Sequence, residues 1–176
     1  SITARDRIEG TTGNGIEASN SSNGANLIIT AVDTVGGLSG IYAINRGPGE
    51  IDIRTSGNTV GGSGSGINAQ NVRIMSFNDN ITQSTDLTIV TDGTTSGNNG
   101  ISAYHYGSGA LTITTNGTTT GTTYHGIFAY NYSGTDISIT AEQTTGGVDA
   151  IHAYQYGGTG TTSITTNGVT TGGSGS

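Results

Sequence analysis

Apolar and polar residues alternate along this chain in runs of only three to five positions, broken by Gly, Asn and Ser. One element, Gly-Ile-x-Ala, opens five such runs, at Gly15, Gly40, Gly66, Gly100 and Gly126. A sixth copy at Ala150-Ile151-His152-Ala153 lacks the glycine. The isoleucines Ile16, Ile41, Ile67, Ile101, Ile127 and Ile151 are spaced by 25, 26, 34, 26 and 24 residues. Each copy is followed by an apolar-x-apolar run: Leu27/Ile29, Ile51/Ile53, Leu87/Ile89, Leu111/Ile113, Ile137/Ile139 and, most weakly, Thr162/Ile164. Counting six residues on from the second apolar position reaches a third Thr/Val stretch, at Val35, Thr59, Thr95, Thr119, Thr145 and Thr170. Period-two alternation over so few residues is a strand pattern, so each period holds three short strands joined by turns.

Three strands in a period of about 25 residues suit a coil that stacks on its neighbours about 4.8 Å apart. The expected architecture is all-β, a right-handed parallel β-helix of six to seven coils, with residues 1–176 a single segment of it. Ile16, Ala18 and their equivalents turn inward, whereas Glu17, Tyr42, Asn68, Ser102, Phe128 and His152 face out. A coil cannot fold alone, because ordering each residue costs about 1–2 kcal/mol while each buried aliphatic side chain returns only about 1.5–3 kcal/mol. Stacking between coils must supply the rest.

Composition narrows the function classes. The chain has 32 Gly, one Pro, no Cys and only 10% charged residues, with five Arg, no Lys and a net charge of −7. Without a basic patch, nucleic acid is not an expected partner, and anionic membranes are disfavoured. The lack of cysteine excludes disulfides and thiolate metal sites. No apolar run is long enough for a membrane span, so no membrane insertion is expected of this segment.

Several columns carry candidate chemistry. Asn20, Asn45, Asn71, His105, Asn131 and Gln155 form a polar column whose side chains can bond one another and the turn backbone. Tyr104/Tyr130/Tyr154 and Tyr106/Tyr132/Tyr156 form two aromatic columns, flanked by Tyr42, Tyr124, His125, Phe128 and His152. They read either as a stack that stiffens one corner or as a contact surface. His105, His125 and His152 occupy different columns, without the spacing that gathers ligands on one strand face. They read as surface residues, and neither a metal nor a cofactor is expected. Asp86, Asp136 and Glu50 share the column before the second strand, but no paired acid and base emerges, so no catalytic residue is assigned. Ice binding needs Thr-x-Thr in every coil, and only Thr118/Thr120 supplies it.

The long step of 34 residues reflects an insertion near 72–81, with Arg73, Met75 and Phe77 as candidate anchors. Loops projecting from a solenoid commonly carry binding determinants. This loop, with Tyr104, Tyr106, Tyr130, Tyr132, Tyr154 and Tyr156 beside it, is the expected binding surface. Ser1-Ile2-Thr3-Ala4 aligns with Ser138-Ile139-Thr140-Ala141, and the closing Gly-Gly-Ser-Gly-Ser repeats residues 61–65. Both ends therefore read as cuts within a longer β-helix.

The run Gly100-Ile101-Ser102-Ala103-Tyr104-His105-Tyr106-Gly107, continuing through Leu111-Thr112-Ile113-Thr114-Thr115-Asn116-Gly117, resembles the passenger domains of bacterial autotransporters. It is most similar to those of the Bartonella angiogenic factor type. The resemblance implies export through a C-terminal outer-membrane barrel, then display at the cell surface or release. For the closer relatives it implies growth-factor-like action on a vascular endothelial receptor, although no residue-level receptor motif carries over. The expected role is a monomeric, non-enzymatic ligand or adhesin for a host cell-surface protein. A passive stalk and a carbohydrate-active enzyme are the alternatives.

Overall fold

The computed structural model describes residues 1–72 and 84–173. Of the expected inserted loop, everything after Val72, including Arg73, Met75 and Phe77, lies outside the described residues. The described chain is a parallel β-solenoid of about six turns with three strands per coil, and no helix occurs among the described residues.

The first strands, Ile16–Asn20, Ile41–Asn45, Ile67–Asn71, Ile101–His105, Ile127–Asn131 and Ile151–Gln155, stack into one six-stranded sheet. Second and third strands share a twelve-stranded sheet, because Leu111–Gly121 and Ile137–Gly146 each run through both positions without a break. Like residues pair from coil to coil: Ile41 with Ile67, Ile67 with Ile101, Ile101 with Ile127. The extra residues before Leu87 leave the register intact, since Leu87 still pairs Ile51. The inward isoleucines, leucines and alanines form one continuous core, with Ile41, Ile67, Ile101 and Ile127 fully buried.

The recurring glycine is explained by a close approach. A Cβ at Gly40, Gly66, Gly100 or Gly126 would lie 2.9, 2.8, 2.6 or 2.6 Å from the Cγ2 of Thr59, Thr95, Thr119 or Thr144. Those methyls belong to the third strand of the coil that each glycine opens, where Thr34, Thr59, Thr95, Thr119 and Thr144 form a fully buried column. Glycine at the start of a coil therefore seats the threonine of that coil's third strand, which has come round one turn to lie on it.

That threonine column corrects the sequence reading at two places. Val35 and Thr145 were expected in it, but Thr34 and Thr144 occupy those positions, while Val35 pairs Val60 and Thr120 pairs Thr145. The turn is one residue shorter where the second strand ends in Ala31 or Ala141 than where it ends in Thr55, Thr91 or Thr115. The pairing of Leu111–Gly121 with Ile137–Gly146 shows the resulting shift between Thr115 and Thr118.

Ser102 is the other correction. It occupies an outward position, paired between Asn68 and Phe128, yet is only 3% exposed. A small side chain flanked by larger ones in its column sits below their surface.

Candidate functional site

The polar column that closes the first strand turns inward, and its side chains satisfy the backbone of the corner that follows. Asn20 Nδ2 donates to the Ala25 carbonyl at 2.8 Å, Asn45 Nδ2 to Gly49 at 2.8 Å, Asn71 Nδ2 to Asp86 at 2.8 Å and Asn131 Nδ2 to Asp136 at 3.3 Å. A direct rung between amides joins Asn45 Nδ2 to Asn71 Oδ1 at 3.1 Å. His105 takes the same place and is fully buried, not a surface residue, because its position shares the inward parity of Ile101 and Ala103. Its Nε2 lies 3.1 Å from the Gly109 carbonyl, which makes Nε2 the protonated nitrogen. The buried Nδ1 has no hydrogen-bond partner among the described residues. Burial holds the ring's pKa below its ordinary value, against the opposing pulls of the Gly109 carbonyl and the Asp86 charge.

The carboxylates singled out in the sequence serve turns. Asp86 Oδ1 accepts from the Ala110 amide at 2.8 Å, and Asp136 Oδ1 accepts from the Thr161 amide at 2.7 Å, each one coil further on. Glu50 Oε1 accepts from Asn26 Nδ2 at 2.8 Å. Ala110 separates Asp86 from Asp136 in the stack, so the two carboxylates stand two coils, roughly 10 Å, apart along the rod.

The aromatic columns assemble as their register requires. Tyr104 lies 6.3 Å from Tyr130, and Tyr130 stacks on Tyr154 at 5.6 Å with 12° between the planes. In the second column Tyr106 and Tyr132 are 5.8 Å apart, and Tyr132 stacks on Tyr156 at 5.1 Å and 12°. The columns touch through Tyr106 and Tyr130 at 5.9 Å, giving one continuous aromatic face. Tyr132 is 37% exposed, Tyr154 47% and Tyr156 63%, whereas Tyr104, Tyr106 and Tyr130 are half-buried. Burial first, then the neighbouring phenols, raises the pKa values of Tyr106 and Tyr130, so both remain hydrogen-bond donors at neutral pH.

Two histidines do come together, contrary to the reading from column spacing. His125 and Asp149 occupy equivalent turn positions in successive coils, immediately before Gly126 and Ala150. His152 follows Asp149 by three residues, and Asp149 Oδ2 lies 3.1 Å from His125 Nδ1 and 3.0 Å from His152 Nδ1. The imidazole centroids are 4.9 Å apart. Column membership missed this because a turn side chain reaches across to the neighbouring strand; the signal was Asp149 one period beyond His125.

Searches of protein-family models, curated proteins and solved structures return no match to this chain.

Proposed function

We propose that this solenoid is an extracellular or bacterial cell-surface segment, exported by autotransport, which binds a host cell-surface protein through its aromatic face without catalysing a reaction. The observation that carries the reading is the exposed, already stacked tyrosine surface around Tyr132, Tyr154 and Tyr156. Stacked rings have little rotamer freedom left to lose, and large rigid aromatics are the side chains in which interface energy concentrates. The turn-bonding of Asp86 and Asp136 favours binding over carbohydrate cleavage, since catalytic carboxylates must face a substrate. The repeat's resemblance to autotransporter passengers supports the location, and its closer likeness to the Bartonella angiogenic factor type makes a vascular endothelial growth factor receptor the first host protein to try.

The test compares three chains for binding to endothelial cells and to the immobilised receptor ectodomain. These are the parent, a Tyr132→Ala/Tyr156→Ala variant, and a variant with residues 72–81 replaced by a turn of ordinary length. Loss of binding in the tyrosine variant, with an unchanged circular dichroism spectrum, is the expected result. If both variants bind as the parent does, the aromatic face is scaffold. If no host surface is bound at all, the passive stalk is the better reading.

A further inference from the structure

We infer that His125, Asp149 and His152 form a binding site for a divalent transition-metal ion of the zinc class, which clips two adjacent coils together. The ligand set is two imidazole nitrogens and one carboxylate, a borderline donor set that suits Zn²⁺, Ni²⁺ or Cu²⁺ and not the all-oxygen preference of Ca²⁺ or Mg²⁺. One ligand atom from each residue can be chosen so that all lie within 4.8 Å of one another. Two of the three separations are already close to final. Ligands bound to zinc at about 2.0–2.1 Å in a tetrahedron stand about 3.3 Å apart. Asp149 Oδ2 stands 3.1 Å from His125 Nδ1 and 3.0 Å from His152 Nδ1. The remaining edge, between the two imidazoles, is no longer than 4.8 Å and shortens when the ion binds.

The orientation at His125 supports the same assignment. Its Nδ1 is buried and lies close to the carboxylate, yet makes no hydrogen bond among the described residues. The carboxylate oxygen therefore sits beside the ring-plane axis along which a proton would be shared. Ligands of one metal ion stand in that relation, because the ion and not the neighbouring ligand lies on each lone-pair axis. His152 Nδ1 is hydrogen-bonded to the same Asp149 oxygen, and binding the ion displaces the proton between them.

The surroundings hold the ligands in place. Phe128 lies against both imidazoles, with centroids at 5.5 Å from His125 and 5.6 Å from His152, and limits how far either ring can turn. The His125 amide donates to Asn99 Oδ1 at 3.0 Å, and the Asp149 carbonyl accepts from the Gly126 amide at 3.0 Å. Both turns are thus tied to their stacked neighbours. Because His125 lies one coil before Asp149 and His152, a bound ion cross-links the coils and strengthens the junction to the strand Ile151–Gln155, whose residues are half-buried or exposed.

The test uses the full 176-residue chain purified without a histidine tag and stripped of metal. Calorimetric titration with zinc chloride is expected to show one equivalent bound. Cobalt(II) is expected to give the visible absorption of a low-coordinate site. His125→Ala and His152→Ala abolish both signals, and Asp149→Asn weakens binding about tenfold or more, since the carboxylate supplies the only anionic ligand. Zinc raises the melting temperature of the parent and of His105→Asn, raises that of Asp149→Asn less at the same concentration, and leaves those of His125→Ala and His152→Ala unchanged. Circular dichroism confirms that each variant is folded, and a Phe128→Leu variant that keeps all three ligands retains the one-equivalent site. Absence of saturable binding, or binding that survives His152→Ala, overturns the assignment.

Discussion

The first strands of the first three coils and those of the last three share one inner face and differ completely outside. Inward, both sets present Ile, Ala and a polar corner residue in paired register. Outward, the first set carries Glu17 and Ser19, Tyr42 and Ile44, then Asn68 and Gln70; the second carries Ser102 and Tyr104, Phe128 and Tyr130, then His152 and Tyr154. The first outer face is held by scattered polar bonds, such as Arg46 to Ser19 at 2.7 Å and Gln70 to Asn68 at 3.2 Å. The second is a sheet of rings in contact. Stacking constrains each inward position against two copies of itself, whereas an outward residue has only to avoid its neighbours. A solenoid can therefore change its surface chemistry halfway along without changing its fold.

The largest effect expected from this comparison is at the shared inner face. Ile41→Asp and Ile101→Asp each place a charge between two buried isoleucines, and both are expected to cost more than about 4 kcal/mol and unfold the chain. Melting curves for the pair check this. Unfolding by one but not the other would show that the two halves are not equivalent inside.

Next comes the glycine that seats the threonine methyl. Gly100→Ala brings a Cβ within 2.6 Å of Thr119 Cγ2 and of the Gly126 carbonyl, an overpacking expected to cost about 1–3 kcal/mol. Adding Thr119→Ser to it removes the methyl and should recover part of the loss, measured by urea denaturation.

His105 distinguishes the halves by pH. Its folded pKa lies below the ordinary value of about 6.5, so the unfolded chain takes up the proton first as pH falls. The stability this ring contributes is complete above about pH 6.5 and declines as pH drops through the folded value, by at most about 1.4 kcal/mol per pH unit. His105→Asn restores the amide of Asn45, Asn71 and Asn131, and the difference in stability between variant and parent should grow on acidification through that window. A constant difference would mean that the buried ring does not titrate with folding.

The smallest change in stability is expected outside. Tyr156→Ala, at the exposed end of the column, removes its stack on Tyr132 and its tilted contact with Tyr154, is expected to cost about 1 kcal/mol, and should lower the melting temperature by a few degrees at most. A larger loss would make the rings part of the framework and blur the division between inner and outer faces.

Much of this was legible because strand parity and period are written directly in the chain. Gly-Ile-x-Ala fixes which isoleucines stack, and the tyrosine columns follow from the same register. The third strand was misplaced at Val35 and Thr145 because counting forward from an isoleucine assumes turns of constant length. Counting back two residues from Gly36, Gly61, Gly97, Gly121 and Gly146, which each close a third strand two residues after its threonine, would have found the inward threonine in those coils. His125, Asp149 and His152 were missed for a different reason. Their meeting depends on side-chain reach between a turn and a strand, which periodicity along the backbone does not encode.

The glycine and threonine contact also bears on how such a rod can change length. Each coil opens on a glycine and comes round to a threonine whose methyl that glycine seats, so the seam is the same from Gly40 to Gly126. Excising residues 101–126 would join Gly100 to Ile127 and bring Gly100 against Thr144, the partner that Gly126 has now. Duplication or loss of whole coils thus leaves no mismatched joint. Recombination by whole coils is therefore expected to shorten, extend or reshuffle the exposed face while keeping the glycine and threonine seam at each join.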